Sequence, residues 1–145
     1  MKNYLFALLI FFTATALAQT DTRIYDIIQK VSAKNIEADI TTLANFGTRN
    51  TFSDTLSSTR GIGAARRWIK AEFQQISSNC TDCLEVFYQK DLVKAATSKR
   101  VPKDTWVVNV VAIQKSKTGS NRYIIISGDI DSRNSDGSDF TKDAP

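Results

Sequence analysis

The stretch that most constrains this chain is Tyr123–Arg133, which reads Tyr-Ile-Ile-Ile-Ser-Gly-Asp-Ile-Asp-Ser-Arg. Its first four residues, Tyr123–Ile126, are β-branched or aromatic and predict a strand that is buried on both faces. Gly128 breaks this strand, and Asp129 and Asp131 follow directly. In an open α/β sheet, functional side chains lie just beyond the carboxyl ends of such strands, so this corner is the first candidate for a site.

Asp129 and Asp131 stand two residues apart, and in an extended backbone their side chains point roughly the same way. Together they can hold a cation, or one can hold it while the other steadies the first ligand. The same Asp-x-Asp-Ser pattern is typical of a turn, in which the side chains bond their own backbone. On spacing alone, the turn is the better interpretation.

The segment also resembles the first metal-ligand segment of the secreted di-zinc aminopeptidases. In that family a strand ends in Gly-His-x-Asp-Ser and a turn containing Ala-Pro follows, as it does here in Asp139–Pro145. By position, Asp129 stands where the family has its first zinc-ligand His, and Asp131 stands where the family has the Asp that orients this ligand. The resemblance therefore implies a metal-binding role for Asp129 and a supporting catalytic role for Asp131. The bridging Asp of the family would come just after Pro145.

A second resemblance lies upstream, in Phe46-Gly-Thr-Arg49. These residues first indicate the end of a helix, with Gly47 in the left-handed conformation. They also match a Phe-Gly-x-Arg signature that the same peptidases carry after their second helix, at a similar distance before the metal-ligand segment. The implied fold class is α/β, specifically the N-terminal part of a three-layer α/β/α mixed-sheet zinc-exopeptidase fold, incomplete in this chain.

Periodicity predicts the remaining elements. One face of the predicted helix Gly61–Ile76 carries Arg66 and Lys70, four residues apart. Two like charges at this spacing indicate that this face is in solvent. A polar hairpin is expected to join the last two strands as an antiparallel pair. The predicted helices are Thr22–Val31, a segment from Ser32 or Asn35 to Gly47, and Gly61–Ile76; the predicted strands are Leu84–Lys90, Trp106–Ile113 and Tyr123–Ile126.

The N-terminus is built like a secretory signal peptide. Lys2 supplies the positive charge, Leu5–Phe12 the apolar run, and Ala16-Leu-Ala18 the cleavage site. A membrane span needs about 20 consecutive apolar residues, and polar threonines interrupt this run earlier. We therefore expect a signal peptide at 1–18 and secretion or periplasmic export. The mature chain, 19–145, is expected to form the N-terminal portion of a peptidase-like α/β domain. We expect no membrane association of this mature form.

Composition narrows the chemistry further. The 145 residues include no histidine, so the chain alone cannot assemble a Ser-His-Asp or Cys-His catalytic set. The formal net charge of +4 comes from scattered basic residues without interleaved aromatic residues, which indicates a solvated surface and not a nucleic-acid interface.

The only cysteines are Cys80 and Cys83, in the sequence Asn79-Cys-Thr-Asp-Cys. In an oxidising compartment this pair predicts a small looped disulfide. The spacing also fits a redox dithiol or half of a zinc site, but its place between a helix and a strand favours a structural role. Asn79-Cys-Thr additionally satisfies the pattern for N-glycosylation in a host that glycosylates.

Three functions remain at this stage. The first is the N-terminal segment of an exported zinc-dependent aminopeptidase, which binds two zinc ions in the complete family fold, acts on a peptide substrate and is inactive as this chain stands. The second is a glutaminyl-cyclase-like acyltransferase of the same superfamily. The third is a non-catalytic exported binding module. A calcium loop at Ser132–Asp143 is a weaker metal alternative, because it lacks the first Asp and the final Glu. Unpaired strands also predict self-association.

Overall fold

The computed structural model describes residues 21–136 and 139–144. Residues 1–20, which include the predicted signal peptide 1–18, and residues 137, 138 and 145 lie outside the described residues. The elements in chain order are α1 (Thr22–Gln29), α2 (Ala33–Asn45), α3 (Gly61–Asn79), β1 (Leu84–Val93) and β2 (Thr105–Gln114). Helices and a two-stranded antiparallel sheet confirm the α/β class. No described helix has the length and apolar character that a membrane crossing requires.

The chain divides into two compact units, with the boundary after Ala38. In the described part of the first unit, Asp21 caps α1, because its carboxylate accepts the backbone N–H of Arg23 at 3.0 Å. The apolar side chains of α1 stay in solvent, and Ile27 is 66% exposed. Helix α2 begins at Ala33 in the first unit and ends at Asn45 in the second.

The second unit begins within α2, and Gly47 ends this helix as predicted. Its φ angle of 69° lies in the left-handed region, and its N–H donates to Ala44 O at 2.9 Å. The ring of Phe46 lies 6.2 Å from that of Trp68 on α3. The helix exit therefore contacts α3 through a pair of aromatic rings.

The start of α3 forms the core of the second unit. Ile62 and Ala65 are 1% and 0% exposed. The first N–H groups of the helix are satisfied by the preceding loop, since Ile62 N donates to Ser53 Oγ at 3.0 Å and Gly63 N donates to Asp54 O at 3.1 Å. A side chain at Gly63 would meet the backbone of Thr55, so this loop packs directly on the helix.

The predicted solvated face of α3 needs a correction at Arg66. This side chain is only 8% exposed, and its Nε finds no hydrogen-bond partner among the residues that the structure describes. Helix α3 packs on the sheet here: the Tyr88 hydroxyl donates to Arg66 O at 3.4 Å, and Lys70 Nζ lies 4.6 Å from the centre of the Tyr88 ring. Arg66 is buried because the sheet covers its side of the helix.

The disulfide prediction is confirmed. Cys80 and Cys83 are bonded to each other, with their Cα atoms 5.4 Å apart, in the turn between α3 and β1. The same turn is held by Ser77, whose hydroxyl accepts from Leu84 N and donates to Leu84 O, both at 3.0 Å. The bridge therefore orders a local connection, as its short loop predicts.

The strand pairing differs from the prediction. Strands β1 and β2 form the antiparallel pair, in a register that places Tyr88 opposite Val110 and Gln89 opposite Asn109. Tyr123–Ile126, predicted as a strand buried on both faces, is irregular and 87–94% exposed. A strand of this kind needs hydrogen-bonding neighbours and a packed layer on each face, and the described residues offer it neither.

Candidate functional site

The two segments that carry the resemblance lie side by side in the second unit. Arg49 N donates to Ser132 Oγ at 3.2 Å, and Ser132 N donates back to Arg49 O at 3.3 Å. Thr48 forms a parallel β-bridge with Ala144. The left-handed turn at Gly47 precedes these residues and directs the chain out of α2 toward them. The structure thus brings 46–49 and 129–132 together at one corner.

The guanidinium of Arg49 fixes this corner. Its Nε donates to Ile130 O at 2.9 Å, between the two candidate carboxylates, and its Nη1 donates to Leu43 O at 2.5 Å in the last turn of α2. Partial burial lowers the pKa of Arg49, and the nearby Asp131 carboxylate opposes this shift. Arg49 therefore links the end of α2 to residues 129–132, here called the acidic segment. The links are two hydrogen bonds to backbone carbonyls and the attraction of the Asp131 carboxylate.

The residues 139–144, here called the C-terminal strap, close the corner from the other side. Ser132 Oγ donates to Ala144 O at 2.5 Å, and Ala144 is 5% exposed. The Arg60 guanidinium forms an ion pair with Asp143 and also donates to Thr141 O at 3.0 Å. The strap is thus joined both to the acidic segment and to the residue before α3.

The predicted site residues lie on the surface of this corner. Asp129 and Asp131 are both exposed, and they follow an irregular segment and not the end of a formed strand. The charge that faces Asp131 comes from Arg49 and from the buried Arg66, whose pKa is lowered by burial and raised in part by Tyr88 and Asp131. The acidic segment is hydrogen-bonded to Arg49, and its Asp131 lies within electrostatic range of Arg66.

Sequence reasoning assigned neither arginine to the site. The sequence includes Arg49 only in the Phe-Gly-x-Arg signature, and the helical pattern predicts that Arg66 lies in solvent. A signal for Arg66 was present, because it is spaced by four residues from Ile62 and by three from Ile69, within the apolar stripe of α3. A basic residue in such a stripe is buried unless its long side chain extends out to solvent.

The side chains present do not form a zinc centre by themselves. Protein zinc sites take three or four ligands from Cys, His, Asp and Glu. Among the described residues, no group of three or more such side chains could hold a metal ion. The chain has no histidine, and both cysteines are consumed by the disulfide. Asp129 and Asp131 can supply at most two carboxylates, so a zinc site at this corner needs ligands from elsewhere.

The calcium alternative loses one of its ligands in the structure. Asp143 forms an ion pair with Arg60, and Asn134 Nδ2 donates to Asp139 O at 3.4 Å. Asp139 instead accepts from the Thr141 backbone and hydroxyl and from Lys142 N, which together lower the pKa of its carboxyl. The acidic groups of the strap are used for internal bonds.

Comparison with known proteins identifies relatives along most of the chain. A probable zinc metalloprotease of Leptosphaeria maculans is 39% identical over 125 residues, which are 86% of this chain and 28% of that protein. Proteins of the same printed name from Pyrenophora teres f. teres and Pyricularia oryzae are 35% and 33% identical over 86% of this chain. These similarities support a zinc metallopeptidase family. No protein-family model and no solved structure matches the chain.

The chain spans about a quarter of the length of these metallopeptidase relatives, between 24% and 28% for the three named. The similarity nevertheless covers most of the chain and is not confined to one short motif.

Proposed function

We propose that this chain is the N-terminal segment of an exported zinc-dependent aminopeptidase, an enzyme that hydrolyses N-terminal peptide bonds with the help of metal. The observation that carries the proposal is the pair of hydrogen bonds between Arg49 and Ser132. It joins the two segments that resemble the aminopeptidases, although they lie 83 positions apart. A chance match of two short motifs would not require them to share one corner.

In this proposal the residues of the corner position the metal and do not complete its site. Asp129 takes the place of the first ligand, and Asp131 orients it while Arg49 and Arg66 lie within electrostatic range. Zinc, when bound, polarises a peptide carbonyl and activates a water molecule. A carboxylate in place of an imidazole brings negative charge and a harder donor, which weakens the metal as a Lewis acid. We therefore expect no peptide hydrolysis by this chain alone.

Export belongs to the same proposal and rests on the signal-like residues 1–18. Expression of the full chain in a secreting host, followed by N-terminal sequencing of the medium, tests it directly. A mature chain that begins at Gln19 is expected. Retention in the cell with the first 18 residues still attached would contradict export.

The enzymatic part is tested with a chimera. Residues 19–145 are joined to the downstream part of the Leptosphaeria maculans relative, and the product is compared with the isolated segment for zinc content and for hydrolysis of an aminoacyl-nitroanilide. The isolated segment should be inactive with zinc supplied. In the chimera, the Asp129→His variant should bind zinc more tightly and turn over faster than the parent, because it supplies the softer imidazole ligand.

Other outcomes favour the alternatives. Cyclisation of an N-terminal glutaminyl peptide without nitroanilide hydrolysis would favour the acyltransferase. A chimera that melts cooperatively but gains neither zinc nor activity from Asp129→His would show that Asp129 is not at a ligand position. A binding module without catalysis would then be the better interpretation.

A further inference from the structure

Asn79-Cys80-Thr81 is the one Asn-x-Ser/Thr sequence in the 145 residues, and it has a defined place in the fold. Asn79 is the last residue of α3, and both Asn79 and Thr81 are exposed. A glycan on Asn79 would therefore begin at the surface of the second unit. Exposure meets the first requirement for a modified asparagine, since a large polar glycan cannot be buried.

The backbone of this sequence is held in a specific helix ending. Asp82 N donates to Ser77 O at 2.9 Å, which is the six-to-one bond of a Schellman motif. Thr81 and Asp82 have φ angles of 59° and 55°, in the left-handed region that favours glycine. The Cys80–Cys83 disulfide closes over the same residues. Two non-glycine residues are thus kept in an unfavourable conformation by a hydrogen bond and a covalent link.

We infer that Asn79 is an N-glycosylation site and that closure of the Cys80–Cys83 disulfide competes with its modification. The inference rests on the export in the proposed function, because both reactions take place in an oxidising secretory compartment. The co-reactant is a lipid-linked oligosaccharide diphosphate. A bond forms between the Asn79 amide nitrogen and the anomeric carbon, the bond from that carbon to the diphosphate breaks, and the amide proton is lost as the lipid diphosphate leaves.

The competition follows from the geometry of the folded turn. A transferase must receive the asparagine side chain together with the hydroxyl two residues on, which requires a flexible stretch of chain. In the closed turn, Asn79 is in the last turn of a helix and Thr81 is held in the left-handed region. The turn must be open for the enzyme, so glycan transfer has to precede disulfide closure.

The test uses the full chain secreted from a glycosylating yeast, with a second version in which residues 1–18 are replaced by a proven signal peptide. This second version separates the inference from export, because it enters the secretory pathway whether or not the natural signal does. Endoglycosidase treatment and intact-mass measurement give the fraction of modified chains. We expect a modified fraction that disappears in Asn79→Gln and in Thr81→Ala but is retained in Thr81→Ser.

The disulfide part is tested by Cys83→Ser, which keeps the Asn-Cys-Thr sequence and removes the bridge, and by Cys80→Ser, which keeps an acceptor sequence as Asn-Ser-Thr. Both variants should show a larger modified fraction than the parent, and so should the parent expressed with a reducing agent. Equal fractions in all of these would overturn the competition. Secreted chains without glycan in the parent and in both cysteine variants would overturn the site itself.

Discussion

Arg49 and Ser132 exchange two hydrogen bonds across 83 positions of the chain, one from Arg49 N to Ser132 Oγ and one from Ser132 N to Arg49 O. Ser132 Oγ in turn donates to Ala144 O. One serine thus joins the exit of α2, the acidic segment and the C-terminal strap. The position of Asp129 and Asp131 depends on these contacts, because the residues before Asp129 are exposed and irregular.

Replacing Arg49 by methionine should destabilise the second unit. The substitution removes the Arg49 donor of Ile130 O, and an unsatisfied carbonyl in a partly buried place costs about 1–3 kcal/mol. Leu43 O loses the guanidinium but still accepts from Phe46 N. Urea unfolding of the chain, monitored by circular dichroism, gives the change in the free energy of unfolding. Arg49→Lys is the matched control, since it keeps the charge beside Asp131 but loses the planar donor geometry, and it should fall between the parent and Arg49→Met. An unchanged unfolding midpoint in Arg49→Met would refute a stabilising role.

The same substitution, Arg to Met, should affect the stability of the fold differently at two adjacent arginines of α3. Arg66 is buried with an unpaired Nε, so Arg66→Met should be neutral or should stabilise by about 1–2 kcal/mol. Arg67 is exposed but donates to Thr55 O at 2.9 Å and also to Ser57 O. Arg67→Met should therefore cost about 0.5–1.5 kcal/mol. Denaturant unfolding of the two variants side by side decides this, and a larger loss in Arg66→Met would contradict it.

The stability of the loop before α3 should depend on pH through Asp54. Its carboxylate accepts from Ser57 N at 3.1 Å and Leu56 N at 2.6 Å, bonds that lower its pKa, with a further contribution from Arg67. Because the folded pKa lies below the unfolded value of 3.8, the ionised group stabilises the fold above that pH. This contribution is lost as the pH falls through the lowered pKa.

Asp54→Asn tests this dependence, because the amide oxygen still accepts hydrogen bonds but does not titrate. Unfolding free energies measured from about pH 5 down to about pH 3 should fall less steeply in the variant than in the parent. Parallel curves for the two proteins would show that Asp54 does not contribute to acid unfolding.

The exposed segment Tyr123–Ile126 should make the chain associate. Its four side chains are 87–94% exposed, and an apolar β-forming segment without a partner strand is prone to pair with another chain. Ile125→Lys adds a charge in the middle of the segment and should shift the chain toward monomer in light scattering. Asn121→Lys is a suitable control, since it adds the same charge in the exposed connection before the segment without altering its apolar side chains. Identical association of the parent and Ile125→Lys would exclude this segment as the cause.

Local patterns predicted the helices well, for reasons visible in single residues. Asp21 caps α1 and Gly47 ends α2, because both functions depend on one side chain or one φ angle and on its immediate neighbours. The Cys80–Cys83 bridge was predictable for the same reason. The solvated face predicted for Arg66 is wrong because α3 packs on the sheet here, where Tyr88, 22 positions away on β1, donates to the Arg66 carbonyl.

The strands show the opposite case. Trp106–Ile113 and Tyr123–Ile126 are both rich in β-branched and aromatic residues, and sequence alone pairs them because they are neighbours along the chain. In the structure β2 pairs with the earlier β1, and the later segment stays in solvent. Strand propensity identifies a segment that can pair, but the partner is set by hydrogen bonds and burial that come from distant residues.

The sequence by itself determined the helices, the disulfide, the absence of histidine chemistry and the two segments that resemble zinc aminopeptidases. Only the tertiary structure decided that these two segments meet, that Asp131 lies within electrostatic range of Arg49 and Arg66, and that Asp143 forms an ion pair with Arg60. The physical reason is the separation along the chain of the residues whose contacts decide each feature. Caps, turns and short loops are fixed within a few residues, whereas a charged corner is fixed by contacts across more than 80 positions.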